Sequence, residues 1–214
     1  MTTPTTNTAF PFVANRLCLD FVNTEVLAGG RVEDLLGNFE GLLGWAEAAG
    51  LLTTAELRTL AGSWVGGNEA SEAWEQARTL RRALRESAEQ LAVGKPAPVT
   101  AVAQINELLR RRSGYTELVE VPGGYAKRHN ARILQPADLL APIAESAAEL
   151  LSSDDPAMVR KCESPDCIIY FYDTTKNHRR RWCSMALCGN RAKVAAHYQR
   201  RRKTQGEGSK SGHK

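Results

Sequence analysis

The chain has 214 residues, 43% hydrophobic and 24% charged, with a net charge of +4. That balance is globular and excludes a wholly disordered or fibrous chain. The opening MTTPTTNTAFPF has no basic segment leading into an apolar run, and no stretch approaches the roughly 18 apolar residues of a membrane span. A cytoplasmic protein without secretory signal or membrane anchor is therefore expected.

In chain order, the first local signal is LCLDFVNT, residues 17–24, apolar apart from Asp20, Asn23 and Thr24. A loose helical stripe follows through Leu36, Phe39, Leu43 and Trp45-Ala46, ended by Gly50. Thr53 and Glu56 form a capping-box pair ahead of Leu57 and Leu60. The longest predicted helix starts near Asn68 and runs through Ala70, Ala73, Trp74, Ala77, Leu80, Leu84, Ala88 and Leu91, stopped by Gly94 and Pro96. A further helix is predicted from Val99 to about Arg112. Two short runs around Pro122-Gly123-Gly124 then predict a β-hairpin, which needs a partner surface because a lone hairpin is marginal in water. Residues 137–151 return to a helical stripe. This part reads as mainly α with a small β-hairpin, an α+β domain over residues 1–155.

Ser152-Ser153-Asp154-Asp155-Pro156 is polar and turn-forming, and the charge changes sign there. Residues 1–156 carry 14 Lys/Arg against 20 Asp/Glu, whereas residues 157–214 carry 14 against 4. A basic end on an acidic body points to a polyanion partner; a solvated, solubilising tail is the plain alternative.

The basic segment holds Cys162, Cys167, Cys183 and Cys188, a C-x4-C…C-x4-C array, with a fifth cysteine, Cys18, far away among apolar neighbours. Two thiol pairs, each on a short loop, suit a tetrahedral Zn²⁺, and an odd cysteine count without a signal peptide favours metal over disulfides. Four thiolates leave no open position, so one structural zinc is expected. His178 is the rival ligand, but the four cysteines suffice without it. A strand is predicted at 168–172 and a returning strand at Arg180-Arg181-Trp182. A basic helix over 191–203 follows, with Cys188 in its first turn, giving a treble-clef-like zinc finger over residues 156–203. The tail 204–214 reads as disordered.

The run RRWCSMALCGNRAK, with FYD upstream, resembles the bacterial CGNR-type zinc finger, named for Cys188-Gly189-Asn190-Arg191. LCLDFVNT resembles the opening of the ABATE domain, which accompanies this finger in stress-induced transcription regulators. The resemblance implies a zinc-dependent, DNA-binding regulator whose N-terminal domain senses a small-molecule effector.

Expected nucleic-acid contacts are Arg179, Arg180 and Arg181 from the hairpin and Arg191, Lys193, Arg200, Arg201, Arg202 and Lys203 on the helix, which is slim enough for the major groove of DNA. The competing role for several of these cations is to offset the thiolates. Ala192, Ala195, Ala196 and Tyr198 are expected to pack on the finger. Tyr170, Phe171, Tyr172 and Trp182 would serve an RNA binder by stacking on unpaired bases, but fit the core of a small module better. In the N-terminal domain, Asp20, Asn23, Arg128 and Asn130 are candidate ligand contacts; for Asp20 and Asn23 local capping is the favoured role. A homodimer would extend the site that one finger reads. A protein-interaction adaptor is the second reading. An enzyme has least support, since no nucleophile–base pair or phosphate-cradling glycine loop stands out.

Overall fold

The computed structural model describes residues 10–111 and 113–198, the side chains of His129 and Ala131 excepted. The order is α1 (Leu17–Val22), β1 (Glu25–Ala28), β2 (Arg31–Asp34), α2 (Phe39–Ala48), α3 (Thr54–Trp64), α4 (Asn68–Ala92), α5 (Val99–Arg110), β3 (Gly114–Val121), β4 (Gly124–Ala131), a 3-10 turn Pro136–Leu140 and α6 (Ala141–Ser152). The C-terminal part adds β5 (Val159–Lys161), β6 (Tyr170–Tyr172), a π-turn Met185–Gly189 and a helix over residues 190–198, here α7. The predicted α+β body, mainly helical, is thus present. Three two-stranded antiparallel ribbons supply all the described β-structure.

α4 is the spine. Ala70, Ala73, Ala77, Leu80, Leu84, Ala88 and Leu91 form its buried stripe, and the alanines let neighbouring elements approach closely. Against it pack α1, α2, α5, the Pro136–Leu140 turn and β5. Trp45 of α2 is fully buried with its ring centroid 5.1 Å from that of Phe21 on α1. α3 begins at the capping box foreseen for Thr53 and Glu56.

Two short elements are additional to those predicted from the sequence. LCLDFV is a helix, α1, and EVLAGGRVED closes into the hairpin β1–β2 over Gly29-Gly30. Both glycines have positive φ, 56° and 79°, as a primed hairpin turn requires. The hairpin is pinned to α4 by ions. Arg81, 3% exposed, donates to Asp34 Oδ1 at 2.7 Å and Thr24 Oγ1 at 2.9 Å. Burial works against the Asp34 charge, yet the Arg81 contacts hold its carboxyl below the usual range. Arg85 joins Glu25 at 2.9 Å and the Val22 carbonyl at 2.8 Å. The predicted hairpin β3–β4 forms around Pro122-Gly123, but β3 is exposed along nearly its whole length instead of packing under helices.

The C-terminal segment shares the core of the helical body. One continuous buried cluster runs from Cys18, Leu19 and Phe21 through α4 to Ile169, Tyr170, Phe171 and the four array cysteines. Its polar seam is Asn23, fully buried at the end of α1. Its Nδ2 donates to the Tyr170 carbonyl at 2.8 Å, and the Tyr170 N–H donates to its Oδ1 at 3.0 Å. The amide side chain thereby serves as one residue of a missing neighbouring strand. The Tyr172 N–H donates to the Ala14 carbonyl at 2.8 Å, and Arg16 pairs with Asp154. Asn23→Ala removes both bonds and strands two buried backbone groups. It should cost about 2–4 kcal/mol in urea unfolding; a change below about 0.5 kcal/mol would show the seam to be unimportant.

Candidate metal centre and nucleic-acid face

β5 ends directly in Cys162, whose N–H extends the ladder to the Ile169 carbonyl at 2.9 Å. The loop Glu163–Asp166 bends back, and the Cys167 N–H donates to the Ser164 carbonyl at 3.1 Å, closing the knuckle. β6 pairs with β5 in the register Val159↔Tyr172, not with the Arg180–Trp182 segment. The returning strand expected at 180–182 is an irregular segment that makes one backbone bond to the knuckle, Glu163 N–H to the Arg181 carbonyl at 3.0 Å. Asp173, almost fully buried, shapes the intervening loop. It accepts from the N–H and hydroxyl of Thr175 and from the Arg180 N–H at 2.6–2.9 Å. These donors outweigh its burial and hold its carboxyl below the usual range.

The second thiol pair arrives on this loop and on the π-turn. All four Sγ atoms lie within 4.8 Å of one another, and every ligand is buried. Cys167 and Cys183 sulfurs are 3.7 Å apart, Cys183 and Cys188 3.5 Å. A tetrahedron with Zn–S bonds of about 2.3 Å has edges of roughly 3.8 Å. These contacts are far longer than an S–S bond of about 2.05 Å, and none of the five cysteines is in a disulfide. The Cys183 N–H donates to Cys162 Sγ at 3.3 Å, as a metal-bound thiolate accepts. The donor set and spacing fit a closed four-cysteine site holding one structural Zn²⁺. Without metal, hydrogen bonds led by that from Cys183 pull the Cys167 thiol down to about 5, whereas the same contact pushes Cys183 up and burial pushes Cys162 up, so it takes a cation to draw the remaining protons off the cluster. His178 stands outside the cluster, exposed, with φ 50° in the loop.

Gly189 is closely covered in the π-turn by the flexible Met185 side chain. A Cβ there would sit 2.8 Å from Met185 Sδ and 3.3 Å from the Trp182 ring. α7 then runs from Asn190, with Ala192 and Ala196 half-buried. Ala195 and Tyr198, expected to pack inward, are exposed.

The basic residues divide by function. Arg180 stands apart from the expected contact set because it points inward. Its guanidinium donates to the carbonyls of Val13 (2.7 Å), Trp182 (3.1 Å) and Cys183 (2.5 Å), and lies 4.1 Å from the Phe171 ring centroid. Arg191 Nη2 lies 3.3 Å from Cys188 Sγ, offsetting a thiolate, while most of its side chain stays exposed. Arg181 pairs with Glu163 at 2.7 Å and lies over Trp182. Arg179 and Lys193 are exposed at the surface. Arg200, Arg201, Arg202 and Lys203 lie outside the described residues, as does the tail 204–214.

The four N-terminal candidates are not brought together as one site. Asn23 is used by Tyr170, as above. Asp20 accepts the Val13 and Ala14 N–H groups, both at 2.9 Å, and so fastens the segment that meets Arg180. Arg128 and Asn130 sit on β4, where Asn130 donates to Glu117 across the hairpin at 2.6 Å. Sequence reading missed Arg85, which reaches the Ile168 carbonyl at 3.4 Å beside the Cys167 knuckle.

Burial pushes the Asp20 carboxyl up to about 6 from its unfolded value of 3.8, against the pull of its two N–H donors and Arg180. A raised folded-state value adds stability at low pH that is lost as pH rises through about 6. Wild type minus Asp20→Asn should therefore lose stability between about pH 4 and 6.5 in unfolding titrations; a flat difference contradicts the assignment. For the metal, mass spectrometry and metal analysis should find one zinc per chain. Cys183→Ser should abolish tight zinc binding, and chelation should unfold the segment around β5 and β6. Metal-free protein with an unchanged melting curve would overturn the centre.

Two family models match the chain. Residues 15–154 match ABATE, described as "Putative stress-induced transcription regulator". Residues 158–201 match the CGNR zinc finger, which contains the four thiols and the residues that carry the finger's name. No curated protein matches the chain. The ABATE match covers well over half of the sequence, and the zinc site sits where the second model places a finger: the chain belongs to the ABATE family and carries a CGNR zinc finger.

Proposed function

We propose that the chain is a zinc-dependent, DNA-binding transcription regulator. The observation that carries this reading is the thiol cluster's position at the foot of α7. It holds the start of that helix against the knuckle, with Arg191 and Lys193 on the helix surface and Arg179 on the adjoining loop. Long cationic side chains on a slim helix are what backbone attraction and major-groove entry require. The family description and the net +10 of residues 157–214 (14 basic against 4 acidic) support the same reading.

Duplex DNA is favoured over unpaired RNA by burial. Tyr170 and Phe171 are 3% and 0% exposed, and the Tyr172 ring is covered by Arg16 at 4.3 Å, so these rings are core rather than a stacking platform. The zinc is architectural in this proposal, and contact falls to the cations it positions. Two copies bound side by side would read a longer site than one finger. The cytoplasm, at the nucleoid, is the proposed place of action.

Fluorescence anisotropy with duplex DNA across salt concentrations tests the proposal. Affinity should fall steeply with salt, with a log–log slope of about −0.9 per phosphate contacted. Arg179→Ala and Lys193→Ala should each flatten the slope by about one contact without lowering the melting temperature. Arg180→Ala should lower the melting temperature instead. No binding at low salt sinks the proposal and leaves the protein-interaction adaptor in its place.

A further inference from the structure

α7 carries an exposed apolar strip. At about 100° per residue, Arg191, Val194, Ala195 and Tyr198 share one face of the helix, and all four are exposed. The half-buried Ala192 and Ala196 lie beyond Ala195 on one side; Lys193 and His197 lie beyond Val194 on the other. Val194 is 54% exposed and Tyr198, one turn further on, 62%. Leu187, on the π-turn that leads into the helix, is exposed as well. Apolar residues scattered singly over a surface need no explanation, but a set aligned on one helix face marks a surface that something covers.

Charge decides what covers it. From Thr174 to Gly206 the sequence has ten Lys or Arg and no Asp or Glu. A second copy laid face to face on α7 would bring two such segments together, and like charges oppose that pairing. The occupant must be anionic at its edges and apolar between them. The major groove of duplex DNA has that form: two phosphate strands flank a floor on which each thymine displays a C5 methyl group. Phosphate contacts position a protein without reading sequence, because the phosphates are alike at every base pair. Val194 has no side-chain donor or acceptor and can read only by apolar contact, for which the groove offers the thymine methyl.

We propose that the Val194–Tyr198 face of α7 reads thymine methyl groups in the major groove, so that the finger prefers duplexes containing A·T pairs. The inference rests on the DNA-binding reading above and adds to it the base that is read. Arg179 and Lys193 then supply attraction to the backbone, and the apolar strip supplies the choice of sequence.

The test is the anisotropy of the full-length, zinc-loaded protein with four duplexes of equal length at one low salt concentration. They are alternating dA-dT, the same duplex with uracil in place of thymine, alternating dG-dC, and the same duplex with 5-methylcytosine. Loss of the thymine methyl should weaken binding about four-fold for each contact, and methylation of cytosine should strengthen it by a similar factor. Val194→Ser combined with Tyr198→Ser should abolish both differences while the salt slope and the melting temperature hold, because both positions are exposed and uncharged. Equal affinity for the thymine and uracil duplexes, no gain from 5-methylcytosine, or a methyl preference that survives in the double variant overturns the inference; salt-dependent binding in the same data leaves the DNA reading standing. No binding to any duplex overturns both and leaves the strip to an acidic protein. A DNA-free dimer in sedimentation that the double variant dissociates gives the strip to a second copy and also overturns the inference.

Discussion

Four thiol sulfurs within 4.8 Å of one another cannot all ionise without a cation between them. Deprotonated, they would place four negative charges in a buried volume, and the repulsion would drive the loops apart. A divalent ion reverses the sign of that energy and ties together four points of a chain segment with very little regular structure. β5 and β6 have three residues each, and the loop from 173 to 184 has no strand or helix. Such a segment cannot bury enough apolar surface to stand alone. The metal supplies the closure, and Arg191, 3.3 Å from Cys188 Sγ, supplies counter-charge.

The closure works on more than the finger. The thiols are continuous with the core of the helical body, and the contact between them is specific as well as apolar. Asn23 stands in for a strand residue against Tyr170, Asp20 fastens the Val13-Ala14 segment, and Arg180 reaches from the finger to the Val13 carbonyl. Arg85 completes the link from α4. The motif LCLDFVNT is thus the docking surface of the C-terminal segment. A polar residue at 23 is needed because the β6 edge presents a backbone N–H and C=O that burial would otherwise leave unpaired. α7 is consequently held in a defined orientation relative to α4.

Much of this was legible in the chain before its structure. The thiol spacing, the α4 stripe, the Thr53–Glu56 cap and the Pro122-Gly123 turn each depend on neighbours in sequence, which local pattern reports. What was missed depends on distant partners. α1 is six residues of mostly apolar character, too short to show a period. β5, Val159-Arg160-Lys161, is charged and three residues long, so local pattern points to 180–182 as the partner of β6 instead. The Gly29-Gly30 hairpin is local too, its glycine pair standing between the short runs EVLA and RVED. Arg180 carries no local mark of its inward role, because its three carbonyl acceptors include Val13, 167 residues away. Asn23 and Tyr170 are likewise 147 residues apart, so nothing near Asn23 could distinguish a docking residue from a ligand contact.

The central claim is that zinc acts by building the finger, and that the cations it positions make the contacts. The direct measurement is DNA affinity as zinc is removed stepwise and then replaced by cadmium, a tetrahedral thiolate-binding ion of different chemistry. Affinity should fall in proportion to lost zinc, one ion per chain, and return with cadmium with the same salt dependence. Full DNA affinity in the metal-free protein would contradict it.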